Sequence, residues 1–329
     1  MKVLYAIQGT GNGHVARARE VIPHLKELCD LHIAISGNEN EVALPHPVTH
    51  ELQGLAFTFG KQGGIDYWDS FRQASLPRLI KEIREFPCED YDLIINDFEP
   101  VTAWAAKRSE TPTVSLSHQC AFLSDQTPRP EKRESFGEQL LKRYAPCDQN
   151  VGFHFEHYDE FIHTPIIRQE VRGLIPSEAG HTAVYLPAYD DLTLVQLFKS
   201  IPSSRWEVFS KRARCEYETE NVVVRPISSE AYLRSLAACS GLLTGAGFEA
   251  PSEALYLGKK LMLVPMKGQY EQQCNAQALR RLGVPVISEV NQESLSKIAA
   301  WVTDGVVLQV DYADETGTIV KNIVADFEE

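Results

Sequence analysis

The feature that most constrains this chain is an alternation that runs twice. Short apolar runs of strand length alternate with longer segments of helical period, and the pattern restarts after residue 180. A parallel strand must be followed by a crossover that packs back on the sheet, so this order points to βαβ units. In the first half, strands are expected at residues 3–7, 31–36, 93–96 and 113–116, with helices over 15–28 and 71–86. Ala16, Ala18, Val21, Ile22, Leu25 and Leu28 fall close to one face of the first of these helices. In the second half, strands are expected at 184–186, 206–209, 222–224, 242–243 and 261–264, and helices at 192–199, 229–239, 250–257 and 272–282. A chain of 329 residues, 43% of them hydrophobic, is long for a single core, so two α/β domains follow. Their expected bounds are 1–165 and 181–312, with a linker over 166–180. A C-terminal helix over 313–329 would cross back to the first domain.

Composition excludes several classes. Lys and Arg total 32 against 45 Asp and Glu, a formal charge of −13, which repels nucleic acid and anionic lipid. Seven cysteines are widely spaced with no Cys-x-x-Cys, so neither a disulfide framework nor a zinc site is expected, and a reducing cytoplasm fits. The apolar start over residues 1–7 is too short for a signal peptide and reads as a buried strand. No apolar run is long enough to span a bilayer. Residues 127–130 read as an exposed loop entering a helix that continues through 140–144. Its mixed charges suit a solvated face, and peripheral contact with the inner face of a membrane is left open.

Three constellations carry chemistry. Gln8-Gly9-Thr10-Gly11-Asn12-Gly13-His14 joins the first strand to the first helix. Its glycines allow a tight turn, and the helix start offers free N–H groups to an anion. His14 stands where a dinucleotide fingerprint needs its third glycine, and no Gly-Lys-Ser/Thr follows, so neither nucleotide motif is met. The turn instead presents a histidine, either catalytic or structural, with Gly11, Asn12, Gly13 and Arg17 beside it as acceptor-side or phosphate candidates. Asp97 ends the strand over 93–96 on the same rim. It either fixes the His14 tautomer or caps the helix that starts near Pro100. The third is Thr244-Gly245-Ala246-Gly247-Phe248, which leaves a strand and enters a helix holding Pro251 and Glu253. The N–H groups near Gly247 can face a diphosphate, and a carboxylate at Glu253 can accept both hydroxyls of a ribose. After the strand over 261–264, Glu271 and Gln272 open the next helix and can read vicinal sugar hydroxyls. His118 and Gln119 follow another strand at the same rim. They line the acceptor side or form a structural turn. Asp90-Tyr91-Asp92 precedes its strand, at the wrong end for a metal site on that rim.

Residues 244–279, TGAGFEAPSEALYLGKKLMLVPMKGQYEQQCNAQAL, resemble the donor segment of GT-B glycosyltransferases, both the MurG-like enzymes and the UDP-glycosyltransferases of secondary metabolism. The resemblance implies two doubly wound, Rossmann-like domains facing each other across a cleft. It also implies transfer of a hexose or N-acetylhexosamine from a nucleotide sugar, UDP-linked, to a hydroxyl acceptor. Carried over, Gly245, Ala246, Gly247 and Phe248 would meet the diphosphate, Glu253 the ribose, and Glu271 with Gln272 the sugar. His14 would be the base, supported by Asp97, and Asn275 part of the donor-side scaffold. The acceptor would be met by the loops 53–69 and 118–130, and it stays open between a lipid-linked precursor, a polysaccharide and a small molecule. No cofactor or metal is expected, the nucleotide sugar being a substrate. Plant-type relatives carry a histidine where Gly245 stands, and Pro187-Ala188-Tyr189 replaces the Ser-rich phosphate turn of MurG-like enzymes. Backbone amides would then carry more of the diphosphate, with Arg17 or Lys267 as helpers. Retaining relatives carry a second Glu that would fall on Gly245, so inversion follows. An epimerase or hydrolase on the same fold, or a silent nucleotide-sugar-binding module, remains the alternative.

Overall fold

The computed structural model describes residues 1–37, 44–54 and 76–328. Residues 71–75 of the expected second helix, and residues 55–69 of an expected acceptor loop, lie outside the described residues. The first lobe runs β1 (Lys2–Gln8), α1 (Asn12–Leu28), β2 (Asp30–Ser36), β3 (His50–Leu52), α2 (Leu76–Glu85), β4 (Leu93–Asp97) and α3 (Pro100–Ser109). It continues through β5 (Thr113–Ser117), α4 (Ser135–Arg143), β6 (Gln149–Phe153) and β7 (Ile162–His163). A short helix, α5 (Gln169–Arg172), lies between the lobes. The second lobe then runs β8 (His181–Tyr185), α6 (Asp191–Phe198), β9 (Arg205–Ser210), β10 (Tyr217–Thr219), β11 (Val222–Pro226) and α7 (Ser229–Ala238). It ends with β12 (Gly241–Thr244), α8 (Glu249–Tyr256), β13 (Lys260–Leu263), α9 (Tyr270–Arg281) and α10 (Leu295–Asp304), and the chain closes with α11 (Thr316–Ala325).

The first sheet is wholly parallel, in the order β3-β2-β1-β4-β5-β6-β7. Its central strand shows why: Val3 through Ile7 are fully buried, because helices cover both faces and no position can face water. The second sheet has the order β10-β11-β9-β8-β12-β13, parallel except for the β10–β11 hairpin at its edge. Each sheet reverses its winding beside its first strand, between β1 and β4 in one and between β8 and β12 in the other. A crevice opens at such a point, at the carboxyl ends of the strands. The last helix packs back on α1.

One surface expectation is overturned. The stretch 127–130 is not exposed: Thr127, Pro128 and Arg129 are buried. Arg129 donates to the carbonyls of Phe122 (2.7 Å) and Thr127 (2.7 Å) and to the Glu138 carboxylate (3.1 Å). A charged side chain enters the interior here because carbonyls and a carboxylate replace its water. The following helix, α4, turns Gly137 toward the ring of Tyr270 on α9, and Tyr270 donates to Glu138 at 2.8 Å. That face of α4 therefore meets the second lobe.

Candidate functional site

His14 owes its position to the turn before α1. Gly11 has φ +107°, a region that side chains rarely adopt, and the chain bends there sharply enough to start the helix within four residues of β1. Strand β4 lies next to β1, with Ile7 opposite Asp97, so the aspartate ends on the rim where the helix begins. His14 Nδ1 lies 2.8 Å from Asp97 Oδ1. Arg17, one turn further along α1, grips the same carboxylate from Nε (3.0 Å to Oδ2) and Nη2 (2.8 Å to Oδ1).

Asp97 has no exposed surface, which pushes its carboxyl pKa up, but Arg17 and His14 outweigh burial and hold it below the ordinary value. An ionised carboxylate can only accept hydrogen bonds. Nδ1 of His14 is thus the protonated nitrogen of the neutral ring, and Nε2 is its basic one. Phe98 follows at φ +57°, a strained setting for a bulky residue, and its ring lies parallel to that of His14 at 6.3 Å. The helix cap comes two residues after Asp97. Glu99 accepts from Val101 N (2.8 Å) and Thr102 N (2.7 Å), so the reading of Asp97 as a cap is set aside.

Arg17 is also reassigned. Its side chain is 3% exposed, and its remaining edge, Nη1, donates to Glu249 Oε1 at 2.9 Å. A guanidinium committed to two carboxylates is not available to a phosphate. Glu249 is the first residue of α8, and sequence reasoning passed over it in favour of the glutamate four positions later. It reaches the first lobe because position 13 is glycine: a Cβ there would stand 3.1 Å from Glu249 Cγ. Gly11, Asn12 and Gly13 thus shape the turn and the entry of Glu249.

On the other side of the cleft, a cavity of about 340 Å³ opens at the switch point of the second sheet. Tyr185, Pro187, Tyr189, Gly245, Gly247 and Gln272 are among its walls. Gln272 staples two loops, its Oε1 accepting from Ala246 N (3.2 Å) and Met266 N (3.0 Å). Asn275, fully buried, donates from Nδ2 to the Ala246 carbonyl at 3.1 Å. The glycine turn is therefore fixed from both sides by side chains of α9. Lys267 also lines the cavity, its ammonium bonded to Glu289 at 2.6 Å.

His118 and Gln119 do not line an acceptor surface. His118 is 1% exposed and stacks flat on Phe248, with centroids 3.9 Å apart. Its Nδ1 is bonded to the Phe153 carbonyl (2.8 Å), and Nε2 lies 3.0 Å from Asn275 Oδ1. Burial lowers its pKa despite the nearby Glu271. Gln119 donates to Glu271 Oε2 at 3.1 Å. Both residues hold Phe248 and the start of α9 against the first lobe, and Glu271 is partly committed to that contact.

Glu253 departs furthest from its expected role. Arg168, from the segment between the lobes, donates to both of its oxygens, Nε at 2.6 Å and Nη2 at 2.9 Å. With its side chain 5% exposed and no place on the cavity wall, Glu253 anchors the linker, and its assignment to ribose does not fit this arrangement. Nothing in the sequence announced Arg168, because a linker has no periodicity from which to read a partner.

A glycosyl transferase family 1 model matches residues 1–304. The chain belongs to that family. Among solved structures, it resembles UGT89C1 of Arabidopsis thaliana complexed with UDP, at 14% identity over 99% of both chains and a TM-score of 0.63. It also resembles SnogD of Streptomyces nogalater, at 15% identity over 99% of this chain and 96% of that one, with a TM-score of 0.56. SsfS6 of Streptomyces sp. SF2575, complexed with thymidine diphosphate, shares 13% identity over 99% and 95%, with a TM-score of 0.58. No curated protein sequence matches. The fold is GT-B, and the protein is a glycosyltransferase of that type. Among the described residues, no group of three or more His, Cys, Asp and Glu side chains is placed to hold a metal ion, and no helix is long and apolar enough to cross a membrane.

Proposed function

We propose that this glycosyltransferase moves a hexose or N-acetylhexosamine from a UDP sugar to a hydroxyl acceptor with inversion. The observation that carries the reading is the meeting of two switch points. The His14–Asp97 pair ends the crevice of one sheet, and the stapled glycine turn ends the crevice of the other. In the reaction, Nε2 of His14 takes the acceptor's hydroxyl proton while its oxygen attacks the anomeric carbon. The bond to the diphosphate breaks with its electron pair leaving on UDP. Proton removal by the positioned His14 contributes about 10²–10⁴-fold, and Asp97 stabilises the imidazolium that forms. The leaving charge falls on the N–H groups of Gly247 and Phe248 and the start of α8, the Ala246 N–H being held by Gln272. The amide nitrogen of Gln272, not used in the staple, and the rest of Glu271 face the sugar. The UDP found with UGT89C1 supports the nucleotide, and the thymidine diphosphate found with SsfS6 makes dTDP its competitor.

Calorimetric titration with UDP, dTDP and GDP tests the donor, with Gln272→Ala as the cavity control. UDP binding that the substitution weakens supports the reading. Binding by none of the three, in folded protein, refutes it. An acceptor screen that reads UDP release, with His14→Ala alongside, then separates transfer from hydrolysis.

A further inference from the structure

Binding of a nucleotide sugar to the glycine turn alone gives Glu249 no role. It is the first residue of α8, directly after the glycine turn whose N–H groups would receive the diphosphate. Its side chain keeps 25% of its exposure and rests on Gly13 in the first turn of α1. The charged groups that face it are Arg17 and His14 from α1, Asp97 from β4 and Glu253 from its own helix. Arg17 is shared with Asp97, and Arg168 answers Glu253. Two cations thus meet three carboxylates, and the cleft holds surplus negative charge before any donor arrives. A diphosphate adds more at the same helix start.

We infer that Glu249 is a further donor-site residue, a carboxyl that takes up a proton as the diphosphate docks. The inference rests on the donor reading above. The proton removes the repulsion, while the carbonyl oxygen of the neutral carboxyl still accepts from Arg17 Nη1. Burial already raises this carboxyl, with Arg17 opposing it, to about 7, so the proton is at hand near neutrality. The competent, protonated fraction falls from roughly nine-tenths at pH 6 to one-tenth at pH 8, which weakens apparent affinity about tenfold. Glu249→Gln imitates the protonated form. It keeps an acceptor for Arg17 and removes the charge.

The test is calorimetry with UDP from pH 6 to pH 8, in buffers of different ionisation heat. Wild type should take up about half a proton per UDP at pH 7 beyond what Glu249→Gln shows, and lose about tenfold in affinity across the range. Glu249→Gln should bind UDP more tightly than wild type at pH 8. A purely structural role for the Arg17–Glu249 pair predicts the opposite sign, weaker binding by the variant at every pH. UDP binding with the same pH dependence and proton count in both proteins overturns this inference and leaves the donor reading standing. No binding of UDP, dTDP or GDP by wild type overturns both. If Glu249→Gln fails to fold, Glu249→Ala, which also removes the titrating carboxyl, serves as the reference for the proton count, and an equal count in wild type and that variant overturns the inference.

Discussion

Replacing Asp97 with asparagine tests the heart of the site without any substrate. The carboxylate is fully buried and receives three contacts: His14 Nδ1 at 2.8 Å, Arg17 Nε at 3.0 Å and Arg17 Nη2 at 2.8 Å. Asparagine fills the same volume but offers one acceptor oxygen and one donor nitrogen. Whichever way it turns, the nitrogen faces a donor of Arg17 or the protonated side of His14. Arg17 keeps Glu249 as a partner, so the loss is smaller than complete isolation of the guanidinium. Breaking a buried pair costs about 3–5 kcal/mol, and the surviving partner puts the expectation near the lower end, about 3 kcal/mol. With a urea slope of about 2–3 kcal/mol per molar, the unfolding midpoint falls by roughly 1–1.5 M. The pH dependence has a definite sign. Asp97 is held below its unfolded value, so its contribution is complete above that value and is lost as pH falls through the folded one. The gap between wild type and variant should be widest near neutrality and narrow below about pH 4. Equal urea midpoints at pH 7, or a gap indifferent to acid, would refute the claim that an ionised Asp97 organises this site.

Arg168→Ala leaves the Glu253 carboxylate buried without its partner. It should destabilise by about 3 kcal/mol, while Arg168→Ala with Glu253→Ala recovers part of that loss, read as a coupling in a double-mutant cycle. Gln272→Ala unpins the glycine turn and should weaken UDP binding about tenfold by calorimetry, the equivalent of one to two hydrogen bonds. Gly13→Ala drives a methyl group into Glu249, so it should separate Glu249 from Arg17 and reduce the wild-type proton uptake on UDP binding.

Much of the fold was legible because parallel strands must be apolar throughout and their helices periodic. The observed strand is one residue longer than the expected 3–7 at each end, and one residue longer than the expected 93–96 at its carboxyl end. What was missed lacks that signature. Strand β6 begins Gln-Asn-Val-Gly, half exposed and rich in polar residues, and β7 is only two residues long. At the site, His14 and Asp97 could be paired from sequence because Asp97 ends one strand and His14 opens the helix that follows another, and adjacent parallel strands bring such ends to one rim. Partners across the cleft could not. Arg17, Glu249, Arg168 and Glu253 are matched by how two lobes face each other, and no local spacing encodes that. His118 shows the converse error: a strand end does place a side chain on the rim, but here the second lobe covers it with Phe248.

The return of the last helix has a mechanical consequence. The polypeptide passes between the lobes twice, once before β8 and once before α11, and α11 is fastened to α1. The two passages are joined to each other, with Gln169 donating to Asp314 at 2.6 Å, and Tyr312 donates to the Phe155 carbonyl at 3.2 Å. Two tethers side by side act as a door hinge rather than a string. They leave one easy rotation, about the line through both, and resist twist and sliding. Any rotation about that line would part the two rims and close them in the same register, with Arg17 facing Glu249.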